Sequence, residues 1–173
     1  LNMAALYDVP VIFIIENNEF AMGTRLEYHA ADTQLYKRGE PFGIKSERLD
    51  GMDVLQVKAD AERIVNWVRE NQKPYLVEVM NYRFAGHGAA DNDRQLYRTK
   101  EEEEENFQRD PIKRLEKYLL DNNLMTQEKM EAIEAEIEDW ADNVLAEADK
   151  SPFADPSEVY TDVYTDMMPE VGH

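Results

Sequence analysis

There is no cysteine among the 173 residues. That excludes a disulfide framework, a thiolate metal site and a cysteine nucleophile, although it leaves the compartment open. No apolar run approaches the roughly 20 residues that cross a bilayer. The opening LNMAALYDVP lacks the basic region and cleavage site of a secretory signal, so a soluble chain is expected. Basic residues are scarce, with 19 Lys and Arg against 37 Asp and Glu, and the resulting formal charge of −18 repels polyphosphate backbones and anionic headgroups. Nucleic acid and membrane surfaces are therefore disfavoured as partners. The length suffices for one sizeable core, so one compact domain, or part of a larger one, is expected.

The acidity is uneven. Residues 1–100 carry 13 basic and 15 acidic side chains, whereas residues 101–173 carry 6 and 22. The sequence divides accordingly into an α/β part over 1–100 and an acidic helical extension of the same domain over 101–173. Residues 9–15, VPVIFII, form an apolar, β-branched run suited to a strand buried on both faces of a parallel sheet, and residues 1–6 read as the end of a preceding helix. A short helical turn is expected over 33–37. Asp53 can cap a helix in which Val54, Val57, Ala61, Val65 and Val68 recur at spacings of 3, 4, 4 and 3. Lys73-Pro74 ends it, and YLVEV at 75–79 is the next strand. Strand, helix, strand in this order indicates an α/β fold with a parallel sheet flanked by helices.

In the acidic part, Asp110-Pro111 opens a helix with Ile112, Leu115 and Leu119 on its buried face. A longer helix over about 127–148 carries a seam of Met130, Ile133, Ile137, Trp140 and Val144, suited either to a solvent-facing helix or to a neighbouring helix or subunit. The glutamate run at 101–105 reads as a solvated helix start favoured by the macrodipole.

Ligands of open α/β sheets sit beyond the carboxyl ends of the strands, which here lead into two unusual segments. After the first strand comes ENNEFAMGT at 16–24, where amide and main-chain oxygens are hard donors for Mg²⁺ or Ca²⁺ and Gly23 lets backbone approach a ligand. Asn17-Asn18 alone is equally the chemistry of a simple turn. After the second comes NYRFAGHG at 81–88, with His87 between two glycines and Arg83 four residues before it. Such a loop is either solvated surface or functional.

Several spaced motifs in one order carry a family resemblance: NMAALYDVPVIFIIENNEFAMGT at 2–24, YKRG at 36–39, LDGMDV at 49–54, YRFAGHG at 82–88, YRTKEE at 97–102, RDPI at 109–112 and DPSEVYTDVY at 155–164. Together they resemble the carboxyl-terminal part of the alpha subunit of the thiamine-diphosphate-dependent dehydrogenase component of 2-oxo acid dehydrogenase complexes, of the pyruvate type. The resemblance implies a thiamine diphosphate-binding fold and oxidative decarboxylation of pyruvate, with acetyl transfer to a lipoyl group of the acyltransferase core. It implies a beta-subunit partner in an assembly of two alpha and two beta chains. By that resemblance Asn18 matches the Mg²⁺ ligand, and Phe20, where most relatives have Tyr, the residue offering a main-chain carbonyl to the same ion. Met22 and Gly23 match positions against the cofactor, Arg83 a loop arginine near its phosphates, and His87 the loop histidine reaching the diphosphate and the reaction centre.

Two departures qualify the match. The Gly-Asp-Gly that opens the family's cofactor motif occurs nowhere here, and the resemblance would place it ahead of residue 1, so a fragment lacking the subunit's amino-terminal half, inactive by itself, is expected. The loop positions phosphorylated in mitochondrial relatives are not serine, since Gly88 follows His87 and Arg25 follows Thr24. That favours a bacterial-type, cytoplasmic enzyme over one of the mitochondrial matrix or plastid. The alternatives are a branched-chain 2-oxo acid or acetoin dehydrogenase alpha subunit and, in another class, a non-catalytic acidic interaction module.

Overall fold

The structure is a computed structural model that describes residues 1–91 and 94–161. The chain opens with α1 (Asn2–Leu6), then β1 (Ile12–Asn17), a two-residue hairpin of β2 (Phe20–Ala21) and β3 (Thr24–Arg25), a 3₁₀ segment Leu35–Phe42 and β4 (Lys45–Asp50). Next come α2 (Val54–Asn71), β5 (Tyr75–Met80), α3 (Lys100–Phe107), α4 (Pro111–Asp121) and α5 (Gln127–Lys150). Strands β1, β5 and β4 form a parallel sheet in that order, with Asn17 opposite Met80 and Met80 opposite Asp50 at the carboxyl ends. This is the expected α/β arrangement of a parallel sheet flanked by helices.

Alternation along the strands assigns their residues to two faces. On one, Tyr75 and Val77 of β5 pack against Ile64 and Val68 of α2, with Ile12, Leu49, Trp67 and Val79 around them. Asp53 starts α2 by accepting from the main-chain N–H groups of Leu55 and Gln56 at 3.0 and 3.2 Å. Gln72, left-handed at φ 52°, ends it one residue before Lys73-Pro74. The buried stripe follows the valine series read in the sequence only in part, through buried Val68 and half-buried Val57 and Val65. Ile64 and Val68 carry the core, whereas Val54 and Ala61 are exposed, because the sheet meets the helix through its second half. The other face carries Leu76 and Glu78 and lies against the 3₁₀ segment.

β1 was expected to be buried on both faces. Among the described residues it is an edge strand, and Ile14 is 63% exposed because α2 packs over β5 and leaves a hollow above β1 on that face. At the other edge, Gly51 follows β4 so closely against β5 that a Cβ there would stand 2.6 Å from the Met80 carbonyl oxygen. Glycine is what lets the Gly51 N–H donate to that oxygen at 2.7 Å.

Two compact units divide the chain at residue 124, so α3 and α4 fall with the sheet although the composition changes after residue 100. Thr99 caps α3 and Asp110 caps α4, and Arg114 of α4 pairs with Asp53 at 2.7 Å. Leu115 and Leu119 are half-buried against α2, and Ile112, read as part of that face, lines the same groove with Val54 and Val57 but stays 67% exposed because the groove is open there. The second unit holds α5, capped by Thr126, and a 3₁₀ turn at Pro156–Tyr160 closed by a capping box from Asp155 and Glu158. The α5 seam residues Ile133, Ile137, Trp140 and Val144 are exposed. Residues 162–164 of the DPSEVYTDVY motif lie outside the described residues.

Candidate functional site

The parallel register brings both candidate loops to one end of the sheet, since Asn17 and Met80 are partners and the Asn81 N–H donates to the Asn17 carbonyl at 3.0 Å. Asn17 and Asn18 each fold an Asx turn, the first accepting from the Glu19 N–H at 2.8 Å and the second from the Phe20 N–H at 3.0 Å. Glu19 and Met22 follow in left-handed conformations at φ 64° and 56°. Each such non-glycine residue costs about 1 to 3 kcal/mol and is kept only where surroundings enforce it.

One of those enforcements comes from the second loop. Arg83 Nη2 donates to the Met22 carbonyl at 2.7 Å, and Arg83 Nη1 lies 3.4 Å from His87 Nδ1. A guanidinium only donates, so this contact is a hydrogen bond in the tautomer that leaves Nδ1 free to accept and places the proton on Nε2. The His87 N–H and the Tyr97 hydroxyl both donate to Asp91 Oδ2, at 2.8 and 2.5 Å. First the Tyr97 hydroxyl and then the His87 N–H hold the Asp91 carboxyl below its usual range. Gly86 packs so tightly on Asp91 that a Cβ would lie 2.2 Å from the Asp91 carbonyl oxygen, which fixes the glycine before the histidine.

Met22, Gly23, His87, Gly88, Asp91 and Tyr97 line a cavity of 360 Å³. The structure thus unites four of the sequence-derived residues, with Met22, Gly23 and His87 on the wall and Arg83 bonded to two of them. Asn18 and Phe20 stand outside that wall on the adjoining turn. The Phe20 ring joins the group through Tyr97, at 5.6 Å between centroids. Among the described residues no group of three or more His, Cys, Asp or Glu side chains could hold a metal ion. The turn offers neutral oxygens instead, an Asn18 carboxamide with one lone pair still free and the Phe20 carbonyl. Such hard donors fit one side of a Mg²⁺ shell. Arg83 and the Nε2 proton of His87 fit a phosphate-bearing ligand in the same way.

Three buried or bridging groups were given no role in the sequence. Arg98, 2% exposed, lies inside the YRTKEE segment and reaches Phe20, Tyr82 and Tyr97. Glu78 is wholly buried in β5 and accepts from Asn17, Arg48 and the Tyr36 N–H. Burial raises its carboxyl, but hydrogen bonds, that of Arg48 foremost, hold it below the ordinary value. The signal was legible as the one charge inside an apolar strand. The third is Arg25, which pairs with Glu102 and ties the hairpin to α3 beside a second cavity of 340 Å³ that Asp50 and Arg109 also line.

The sequence model of the dehydrogenase E1 component family matches residues 1–157. The pyruvate dehydrogenase E1 component subunit alpha of Rickettsia felis is 41% identical over 163 residues, covering 94% of this chain and 49% of that protein. The chloroplastic subunit alpha-3 of Oryza sativa subsp. japonica is 37% identical over 166 residues, 96% of this chain and 39% of that protein. The subunit alpha of Porphyra purpurea is 36% identical over 166 residues, 96% of this chain and 48% of that protein. The chain spans about half the length, or less, of these curated relatives. With its parallel sheet, its two loops at one sheet end and a match over nine-tenths of its residues, the chain belongs to the dehydrogenase E1 component family.

Proposed function

We propose that the chain is part of the alpha subunit of a thiamine-diphosphate-dependent pyruvate dehydrogenase, which decarboxylates pyruvate oxidatively and passes the acetyl group to a lipoyl domain. The observation that carries this reading is the bond from Arg83 to the Met22 carbonyl, which joins both strand-end loops around one cavity with His87 on its wall. The relatives named above are pyruvate dehydrogenase subunits, which favours pyruvate over branched-chain 2-oxo acids or acetoin.

In this reading Asn18, through its side-chain oxygen, and Phe20, through its carbonyl, would hold Mg²⁺. Arg83 takes up phosphate charge while anchoring the Met22 backbone. Met22 and Gly23 present an apolar side chain and bare backbone to the cofactor rings. Thiamine diphosphate, when bound, supplies the carbanion-stabilising chemistry of decarboxylation. His87, with Nδ1 facing Arg83, would offer Nε2 as a hydrogen-bond donor to a ligand bound in the cavity it lines. Tyr97 and Asp91 keep the histidine backbone in place. A beta subunit completes the enzyme, two copies of each, and the protein is assigned to the cytoplasm of a bacterium.

Calorimetry on the full-length alpha subunit assembled with its beta partner tests the reading. Uptake of thiamine diphosphate only in the presence of Mg²⁺, with faster decarboxylation of pyruvate than of branched-chain 2-oxo acids or acetoin, is expected. An assembly that binds no thiamine diphosphate overturns it.

A further inference from the structure

Glutamate is out of place in the middle of YLVEVM, the central strand of the sheet, where leucine or methionine would fill the same space. Its carboxylate is fully engaged. Oε1 accepts from Asn17 Nδ2 at 2.7 Å and from Arg48 Nη2 at 3.1 Å, while Oε2 accepts from Arg48 Nε at 3.0 Å and from the Tyr36 N–H at 3.1 Å. These donors come from β1, β4 and the 3₁₀ segment, so one side chain locks three elements together.

The bond to Asn17 has a directional effect. A carboxylate only accepts and a main-chain N–H only donates, so Asn17 must turn its NH₂ to Glu78 and its oxygen to Glu19. That oxygen accepts from the Glu19 N–H at 2.8 Å and starts the turn in which Glu19 is left-handed and Asn18 accepts from the Phe20 N–H. We propose that Glu78 is a positioning residue for this turn: by fixing the orientation of the Asn17 carboxamide it aims the Asn18 and Phe20 oxygens at the divalent cation. The cation belongs to the functional reading above, on which this proposal rests.

Glutamine in place of Glu78 tests the linkage, because its head has one accepting and one donating end. The donating end faces Asn17, whose carboxamide can turn its oxygen to accept, because Arg48 Nε and the Tyr36 N–H on the other side only donate. Turned toward Asn17, it makes the Asn17 amide flip and release the Glu19 N–H. Adding Asn17→Asp restores an acceptor on both sides and returns the buried negative charge to the network.

The variants are Glu78→Gln, Glu78→Gln with Asn17→Asp, and Asn17→Ala, each in the full-length subunit assembled with its partner. Two quantities are read: calorimetric affinity for thiamine diphosphate with Mg²⁺, and hydrogen exchange at the Glu19 and Phe20 amides. Glu78→Gln weakens affinity by about 10- to 100-fold, the usual cost of losing a group that orients a metal ligand. It also quickens exchange at both amides, and the double variant regains most of each loss.

A folded Glu78→Gln protein with wild-type affinity and wild-type exchange overturns the proposal. So does a double variant as impaired as the single one, because a merely structural carboxylate lowers the melting temperature without moving the turn. If Glu78→Gln does not assemble, Asn17→Ala decides the matter, since it leaves the Glu78–Arg48 pair intact, and unchanged affinity and exchange in it overturn the proposal. A wild-type assembly that takes up no thiamine diphosphate overturns the functional reading instead, while exchange at Glu19 and Phe20 still decides whether Glu78 holds the turn.

Discussion

Arg98 donates from Nη1 to the Arg83 carbonyl at 2.6 Å, and its guanidinium stands 4.8 Å from the ring centres of both Phe20 and Tyr82. One buried cation thereby joins the start of the His87 loop to the turn that follows β1. Its charge faces aromatic rings and one carbonyl dipole, while Nε and Nη2 are buried without a hydrogen-bond partner.

Arg98→Met keeps the length of the side chain and removes both interactions. A destabilisation of roughly 2 to 4 kcal/mol is expected, from a hydrogen bond to a charged group and a desolvated cation–π contact. The loop should feel it most. Limited proteolysis of the full-length protein should cut within residues 83–91 faster in the variant, and equal cleavage rates would show that Arg98 does not restrain the loop.

Asn18→Ala removes a candidate cation ligand together with the Asx turn that accepts from the Phe20 N–H. The concentrations of Mg²⁺ and thiamine diphosphate needed for half-saturation should rise together. Asn18→Asp keeps both the acceptor and the oxygen ligand and should stay close to wild type. Titration of the assembled enzyme with each component separates the cases. Unchanged affinity for both in Asn18→Ala takes Asn18 out of the site.

Alkaline pH should probe the polar rim of the core. The Tyr75 hydroxyl donates to Glu47, which also accepts from Arg63 at 2.8 and 2.9 Å. Burial first, and then the bond to Glu47, push the phenol up to about 12. The folded value exceeds the unfolded one, so the stabilisation is fully present below about pH 10 and lost as pH climbs through about 12. That amounts to about 2 to 3 kcal/mol. Tyr75→Phe has no phenol to ionise, so the fall in its urea midpoint over that window should be shallower than in wild type. Parallel curves for the two proteins would refute the assignment.

The elements that were legible rest on local chemistry: Asp53 and Asp110 as caps, Lys73-Pro74 as a stop, and the apolar runs leading into Asn17 and Asn81. Which residues carried the core was less so. Val54 and Ala61 have the helical spacing, yet the sheet meets α2 at Ile64 and Val68, a matter of where the helix crosses the strands. Gly23, Arg83 and His87 stand out in the strand-end loops and Met22 enters by family resemblance, and the four gather at one cavity. The groups that hold them escaped. Arg98, Asp91 and Glu78 act through partners 15, 4 and 61 residues away in the chain, and no spacing rule reports a contact of that kind.

His87→Ala is the sharpest probe of the chemistry. The imidazole lines the cavity and meets Arg83 at 3.4 Å through Nδ1, which leaves Nε2 turned to other partners. Its backbone is held independently, by the N–H bond to Asp91, so alanine removes the ring without freeing the loop. Assembly with the beta subunit should change little, and affinity for the cofactor should change less than turnover. Turnover should fall by roughly 10²-fold, the usual worth of one positioned donor or proton carrier. His87→Gln restores a donor but cannot move a proton, and should recover part of the loss if hydrogen bonding is the main contribution. If His87→Ala decarboxylates pyruvate and acylates the lipoyl domain at the wild-type rate, the ring is a bystander and the Arg83–His87 contact is only part of the loop's internal packing.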